Sequence, residues 1–236
     1  ERFVLCRARR KGDGTSVLLK RPLEAAASAA DIALLAREFE LLRSLPLDSI
    51  TKPIELLTDA LVLEDHGART LAALMRESAP PLGWVLDYAT QLASVLSELH
   101  RCGVIHRALS PQAVLVEGPA RRIRLAGFSD AARGAAEAAS PLPARLYRSR
   151  LAYAAPEYGG RIGHGCDHRS DFYSLGVVLY ELLCGRLPFD DTDPLALIHA
   201  HAARLPPAPV ELDATLPPPL SQIVMKLLAK APEERY

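Results

Sequence analysis

Eight apolar residues, Leu82, Val85, Leu86, Ala89, Leu92, Ala93, Leu96 and Leu99, recur at helical spacing. That periodicity predicts one long amphipathic helix, which Gly103 ends. A stripe of this length has to be covered by other elements, so the helix is expected to run through the core of a mainly helical body. The chain is long enough for that, since 236 residues with 49% apolar content can bury a sizeable core as one domain or as two lobes.

The remainder divides at Gly67. Before it, "RFVLCRARR" and "SVLLK" flank Lys11-Gly12-Asp13-Gly14 as a hairpin, and "SITKPIELL" and "ALVLED" predict two more strands. Between these pairs, Ile32, Leu35, Phe39 and Leu42 mark an amphipathic helix from Ser28 to Leu45, stopped by Pro46. After Gly67, "AVLVEG" and "IRLAGF" are expected to pair as strands. An Ala- and Arg-rich segment from 131 to 150 reads as a mobile loop. Helices are expected at 170–184, 193–203 and 219–230, around the proline-rich "RLPPAPVELDATLPPP". The expectation is an α+β chain with a small β-rich lobe carrying one helix at 1–66 and a larger helical lobe at 67–236, both ends reading as cut from something longer.

Composition removes several function classes. The formal net charge is zero and no basic, aromatic-interleaved stretch occurs, which argues against nucleic acid as a partner. The most apolar run, "YSLGVVLYELLCG", contains Glu181 and falls short of the ~20 residues a bilayer demands, so no membrane segment is expected. Cys6, Cys102, Cys166 and Cys184 lie far apart without a CxxC pair, which points to a reduced, cytoplasmic setting. "HGCDH" places His164, Cys166 and His168 at metal-like spacing but offers no fourth ligand, so a solvated loop is expected and no metal. His199 and His201, two apart on a helix, are expected at the surface.

The order of motifs is the specific signal. "VLLK" ends at Lys20, "REFELL" carries Glu38, "LVLED" carries Leu63 and Glu64, "VIHRALSPQAVLV" follows the long helix, and "APEYGG" precedes "SDFYSLGVVLYELLCGRLPF". In this order the chain resembles the eukaryotic-like serine/threonine protein kinases over nearly its whole length. The resemblance implies a bilobal kinase-like fold in which Lys20 and Glu38 could orient a nucleotide phosphate. Leu63 would stand as gatekeeper, with Glu64 opening the hinge strip. It also implies a hydrophobic spine of His106, Phe128 and Leu42, an Asp171 carboxylate that holds the loop backbone, and a buried Glu157–Arg235 ion pair. Gly12 and Gly14 make only a degenerate glycine-rich loop. "DPLALIHAHAA" and "LSQIVMKLLAKAPEERY" are most similar to the amino-terminal kinase-like domain of very large bacterial signalling proteins, where an ATPase region and a sensor histidine kinase follow.

The same resemblance exposes departures. The family's H-R-D-L-x-x-x-N supplies a proton-accepting aspartate and a metal-holding asparagine, and here those positions are Ala108 and Ala113. Ser110 replaces the lysine near the transferring phosphate. Gly127-Phe128-Ser129 replaces D-F-G, so Gly127 stands where the second metal ligand belongs. Asp130 lies three residues further on and is expected to aim elsewhere. Arg150 occupies the place of a threonine that touches the loop. A general base is worth about 10²–10⁴-fold in rate, and metal neutralisation adds several kcal/mol more. Starting from a kinase turnover of about 1–100 per second, these losses leave a rate near background.

The expected function is therefore that of a pseudokinase, a regulatory or docking module in a bacterial multidomain signalling protein. It would require no cofactor, although metal-independent ATP could occupy the cleft. Its partner would be another protein or downstream domains of the same chain, and Arg133, Arg145, Arg148 and Arg150 offer a basic surface for acidic groups. The alternative is an ATP-binding, active or weakly active serine/threonine kinase, which requires an acidic residue to reach the metal position. A small-molecule phosphotransferase would need the same missing aspartates.

Overall fold

The computed structural model describes residues 2–24, 27–134, 137, 148–159 and 166–236. Strand β1 (Phe3–Arg9) pairs antiparallel with β2 (Ser16–Pro22), Phe3 opposite Pro22 and Arg9 opposite Ser16. The connecting turn closes where Gly14 takes a φ of 70°, a conformation that costs glycine little. Strands β3 (Pro53–Leu56) and β4 (Leu61–Glu64) complete a four-stranded sheet in the order β1-β2-β4-β3.

Helix α1 (Ala29–Ser44) starts at a capping box: the Asp31 N–H donates to Ser28 Oγ at 3.2 Å and the Ser28 N–H to Asp31 Oδ2 at 2.9 Å. Its buried face differs from the expected one. Ile32 is exposed and Phe39 only half-buried, whereas Leu35, Glu38 and Leu42 point inward. The helix thus delivers a carboxylate, not only apolar side chains, to the lobe interface.

The second lobe opens with β5 (Arg69–Thr70) and α2 (Leu71–Glu77), then α3 (Leu82–Arg101). The inner stripe of α3 is Val85, Tyr88, Leu92, Val95, Leu96 and Leu99, while Leu86 and Ala93 face outward. The apolar count had widened the stripe, because alanine and leucine are common on exposed helix faces too. Strands β6 (Val104–Ile105), β7 (Val114–Glu117) and β8 (Arg122–Leu125) follow, with β9 (Ala132–Arg133) paired to β6. Of the segment expected as a mobile loop, 131–134 and 148–150 carry β9 and the start of the short helix α4 (Arg148–Leu151), and most of the rest lies outside the described residues.

Helix α5 (Arg169–Cys184) is buried on nearly every side, with Tyr173, Val177, Val178 and Tyr180 wholly enclosed. Gly176 permits its close approach to α8 (Pro218–Leu227), since a Cβ there would lie 2.8 Å from Leu227 Cβ. Between them run α6 (Pro194–Ala203), started by the Asp193 carboxylate, and a short α7 (Pro209–Leu212) within the proline-rich stretch. His201 is buried against Tyr173 and Phe189, contrary to the surface expectation. Two helical positions face different ways, so one of the pair, His199, is exposed and the other turns into the core.

One apolar core runs through both lobes, from Leu18, Leu35 and Leu63 to Leu96 and Val177. The lobes are also stitched by backbone, because Ser49 and Thr51 exchange hydrogen bonds with Leu125 on β8. Among the described residues, no helix is long and apolar enough to cross a membrane. The four cysteines are free thiols.

Candidate functional site: the interlobe cleft

The loop after α3 is held from below. Asp171, fully buried at the start of α5, accepts the backbone N–H groups of His106 and Arg107 at 2.8 Å each and the ring of His100 at 2.9 Å. Arg107 adopts a φ of 62°, a left-handed conformation costly for a residue with a Cβ, and the two Asp171 bonds hold it there. His106 is wholly buried, which pushes its ring toward the neutral form. Nε2 bonds the Ala126 carbonyl at 3.0 Å and Nδ1 accepts the Ala108 N–H, which together specify the tautomer protonated on Nε2. Its ring meets Phe128 edge-on at 4.7 Å, and Phe128 shares the apolar core with Leu42. Glu157 and Arg235 pair in two hydrogen bonds of 2.8 and 3.0 Å with side chains essentially unexposed.

Above the loop, β2 and α1 bring Lys20 and Glu38 together. Lys20 Nζ donates to Glu38 Oε2 at 2.5 Å, deep in the structure. Glu38 Oε1 accepts the Phe128 N–H at 2.9 Å, so the helix carboxylate clamps the turn that replaces D-F-G. Ser129 adds a bond the motif order had not disclosed. Its hydroxyl lies 2.7 Å from both Lys20 Nζ and Glu38 Oε2, completing a buried three-way contact. The Glu64 side chain does not line this cleft. Successive strand residues face opposite ways, so Leu63 lines the cleft while the Glu64 side chain lies on the other side, 3.2 Å from His66.

The cleft between the lobes encloses about 180 Å³. Phe3, Leu5, Leu63 and Ala126 line it with apolar surface, and Lys20, Ser110, Gln112, Ser129, Asp130 and Arg150 line it with polar groups. Ala108, Ala113 and Gly127 all face it. Gly127 sits at φ 83°, with Ala113 Cβ 3.7 Å from where its own Cβ would be. Gly12 and Gly14 are absent from its walls.

Asp130 corrects the sequence expectation. Phe128–Asp130 folds as a single 3-10 turn instead of continuing extended, which turns Asp130 onto the cleft wall. It is not free there, because the Arg150 guanidinium forms an ion pair with it and also donates to the Arg107 carbonyl at 3.3 Å. Arg150, read from sequence as part of a basic outer surface, faces inward. Arg133 bonds Ser44, while Arg145 and the side chain of Arg148 lie outside the described residues. Of the His-Cys-His candidate, His164 lies outside them too. Cys166 contacts Ser170, and His168 packs on His100 and Phe172. No cluster of three metal-ligating side chains occurs among the described residues.

A magnesium–nucleotide complex needs oxygen ligands at the loop and at the turn. Alanine and glycine at 108, 113 and 127 offer none, and Asp130 is engaged by a cation, so this donor set does not fit the metal.

Comparison with known proteins agrees with the geometry. The protein kinase domain family matches residues 4–236. Over 158 residues the chain is 35% identical to the serine/threonine-protein kinase Pkn1 of Myxococcus xanthus, covering 65% of this chain and 22% of that protein. It is 30% identical to PksC, a serine/threonine-protein kinase of Streptomyces coelicolor, over 80% of this chain and 34% of the relative. A stretch of 92 residues is 49% identical to the hybrid signal transduction histidine kinase G of Dictyostelium discoideum, spanning 39% of this chain but 3% of that protein. The chain thus spans about a third or less of the length of these relatives. Lobes, loop and spine assembled in kinase order, together with a family match along almost every residue, mean that this chain belongs to the protein kinase domain family.

Proposed function

We propose that this kinase domain is a pseudokinase, a regulatory or docking module that acts through its fold and not through phosphoryl transfer. The observation that carries the reading is the joint presence of Ala108, Ala113 and Gly127 on the cleft wall, with Asp130, a carboxylate on the same wall, engaged by Arg150. A kinase transition state gains its stabilisation from metal ions and a positioned base, and nothing among these groups supplies either. The retained contacts favour a rigid platform: Asp171 under the loop, Glu157 on Arg235, and Glu38 on the turn.

One relative is a hybrid signal transduction histidine kinase. By that likeness, the module serves a multidomain signalling protein and docks on further domains of its own chain or on a protein partner, and the scattered free cysteines point to a cytoplasmic setting. The competing reading, an active serine/threonine kinase, draws on the formed Lys20–Glu38 pair and on the names of the bacterial relatives.

Transfer of labelled γ-phosphate to the domain itself and to a mixed serine/threonine substrate, with magnesium and then manganese, separates the two. The expected rate equals that of Lys20→Met, which sets the background. Transfer clearly above that control would sink the pseudokinase reading.

A further inference from the structure

We propose that the cleft binds a phosphate chain without metal, and that the Arg150 guanidinium supplies the positive charge that metal ions supply elsewhere in the family. This deepens the pseudokinase reading and rests on it. The inference starts from a reversal of charge. Where the family places acidic and amide ligands around two cations, this cleft presents Ala108, Ala113 and Gly127, and beside them a guanidinium. Arg150 reaches this point because it donates to the carbonyl of Arg107, the residue immediately before Ala108. Its side chain retains 26% exposure, on a residue that lines the cleft. Lys20 lies on the same lining, and Ser110 and Gln112 add neutral polar groups along the floor.

Phosphate recognition suits a guanidinium. It offers five donors in a planar fork, and the contacts to Asp130 and Arg107 engage only its two terminal nitrogens. Asp130 then acts as a resident competitor: it holds Arg150 in place and an incoming phosphate must share or displace it. Magnesium bound to the phosphates would lower their negative charge and bring a cation that wants carboxylate ligands, so it should weaken binding here. The chain could come from a nucleoside triphosphate or from free tripolyphosphate.

Isothermal titration of the whole 236-residue chain with ATP and, separately, with tripolyphosphate, each in chelator and in excess magnesium, tests this. Binding is expected in chelator and weaker with magnesium. Arg150→Gln should weaken it about 10- to 100-fold, the worth of a lost charge-assisted bond, and Arg150→Lys should restore part of that. Asp130→Asn should tighten it, a change that no purely structural role of the pair would produce. Melting curves of each variant confirm that the fold persists. ATP binding alone would identify a nucleotide as the source, and equal binding of both probes would identify the phosphate chain itself; either supports the proposal. Affinity that requires magnesium, affinity indifferent to both Arg150→Gln and Asp130→Asn, or no binding of either probe would overturn it. The last result leaves the transfer assay and the pseudokinase reading untouched.

Discussion

The Glu157–Arg235 pair is the most exacting test of how the helical lobe is held. Arg235 gives two bonds to Glu157 and further bonds to the carbonyls of Arg169, Ala229 and Lys230, all with its side chain out of solvent. Arg235→Ala removes these donors together and leaves the Glu157 carboxylate buried, with Ser170 Oγ at 2.6 Å as its remaining side-chain donor. Breaking a buried pair by deleting one partner costs about 3–5 kcal/mol. For a chain of this size each kcal/mol moves the melting midpoint by about 2–4 °C, so a drop of about 6–20 °C is expected. Trp84 is the single tryptophan and lies on α3, so its fluorescence reports this lobe specifically. Replacing both partners, Glu157→Leu with Arg235→Met, should recover part of the loss, because no buried charge is left alone, while the three carbonyls still lack donors. A fall of less than about 2 °C in Arg235→Ala would refute the reasoning, since it would mean the pair is wet and exchangeable in solution.

Two further outcomes follow from the packing. His201 is buried, and burial foremost, with Lys230 second, lowers its pKa from 6.5 to about 4. The unfolded chain therefore binds a proton that the folded one refuses, and stability should fall by up to roughly 3 kcal/mol as pH drops from 6.5 to 4. Melting midpoints against pH should show that slope in the wild type and lose it in His201→Gln; parallel curves would remove the claim. Gly176→Ala should cost about 1–3 kcal/mol by urea unfolding, because its Cβ meets Leu227 at 2.8 Å and the Leu227 backbone at 3.3 Å. An unchanged unfolding midpoint would show that α5 and α8 can separate without loss.

Much of this molecule is legible in one dimension. The spacing of Leu92, Leu96 and Leu99 predicts α3, that of Leu35 and Leu42 with Pro46 beyond predicts α1, and the sequential order of Lys20, Glu38, the 104–116 loop and Glu157 carries the fold. The absences at 108, 113 and 127 can also be read directly, because an alanine is an alanine in any conformation. What needed the tertiary structure is direction. Glu64 and Leu63 are neighbours on β4, yet one faces the cleft and the other leaves it. His199 and His201 share a helix, yet one is exposed and the other buried. Arg150 reads as a surface charge until a 3-10 turn places Asp130 beside it, and Ser129 reads only as the last residue of the replaced D-F-G until Lys20, 109 residues away in the chain, meets its hydroxyl. Local chemistry and periodicity act between residues a few positions apart and are therefore written into the sequence. Contacts among charged groups in the cleft depend on where several distant segments stop and turn, and only the folded path decides that.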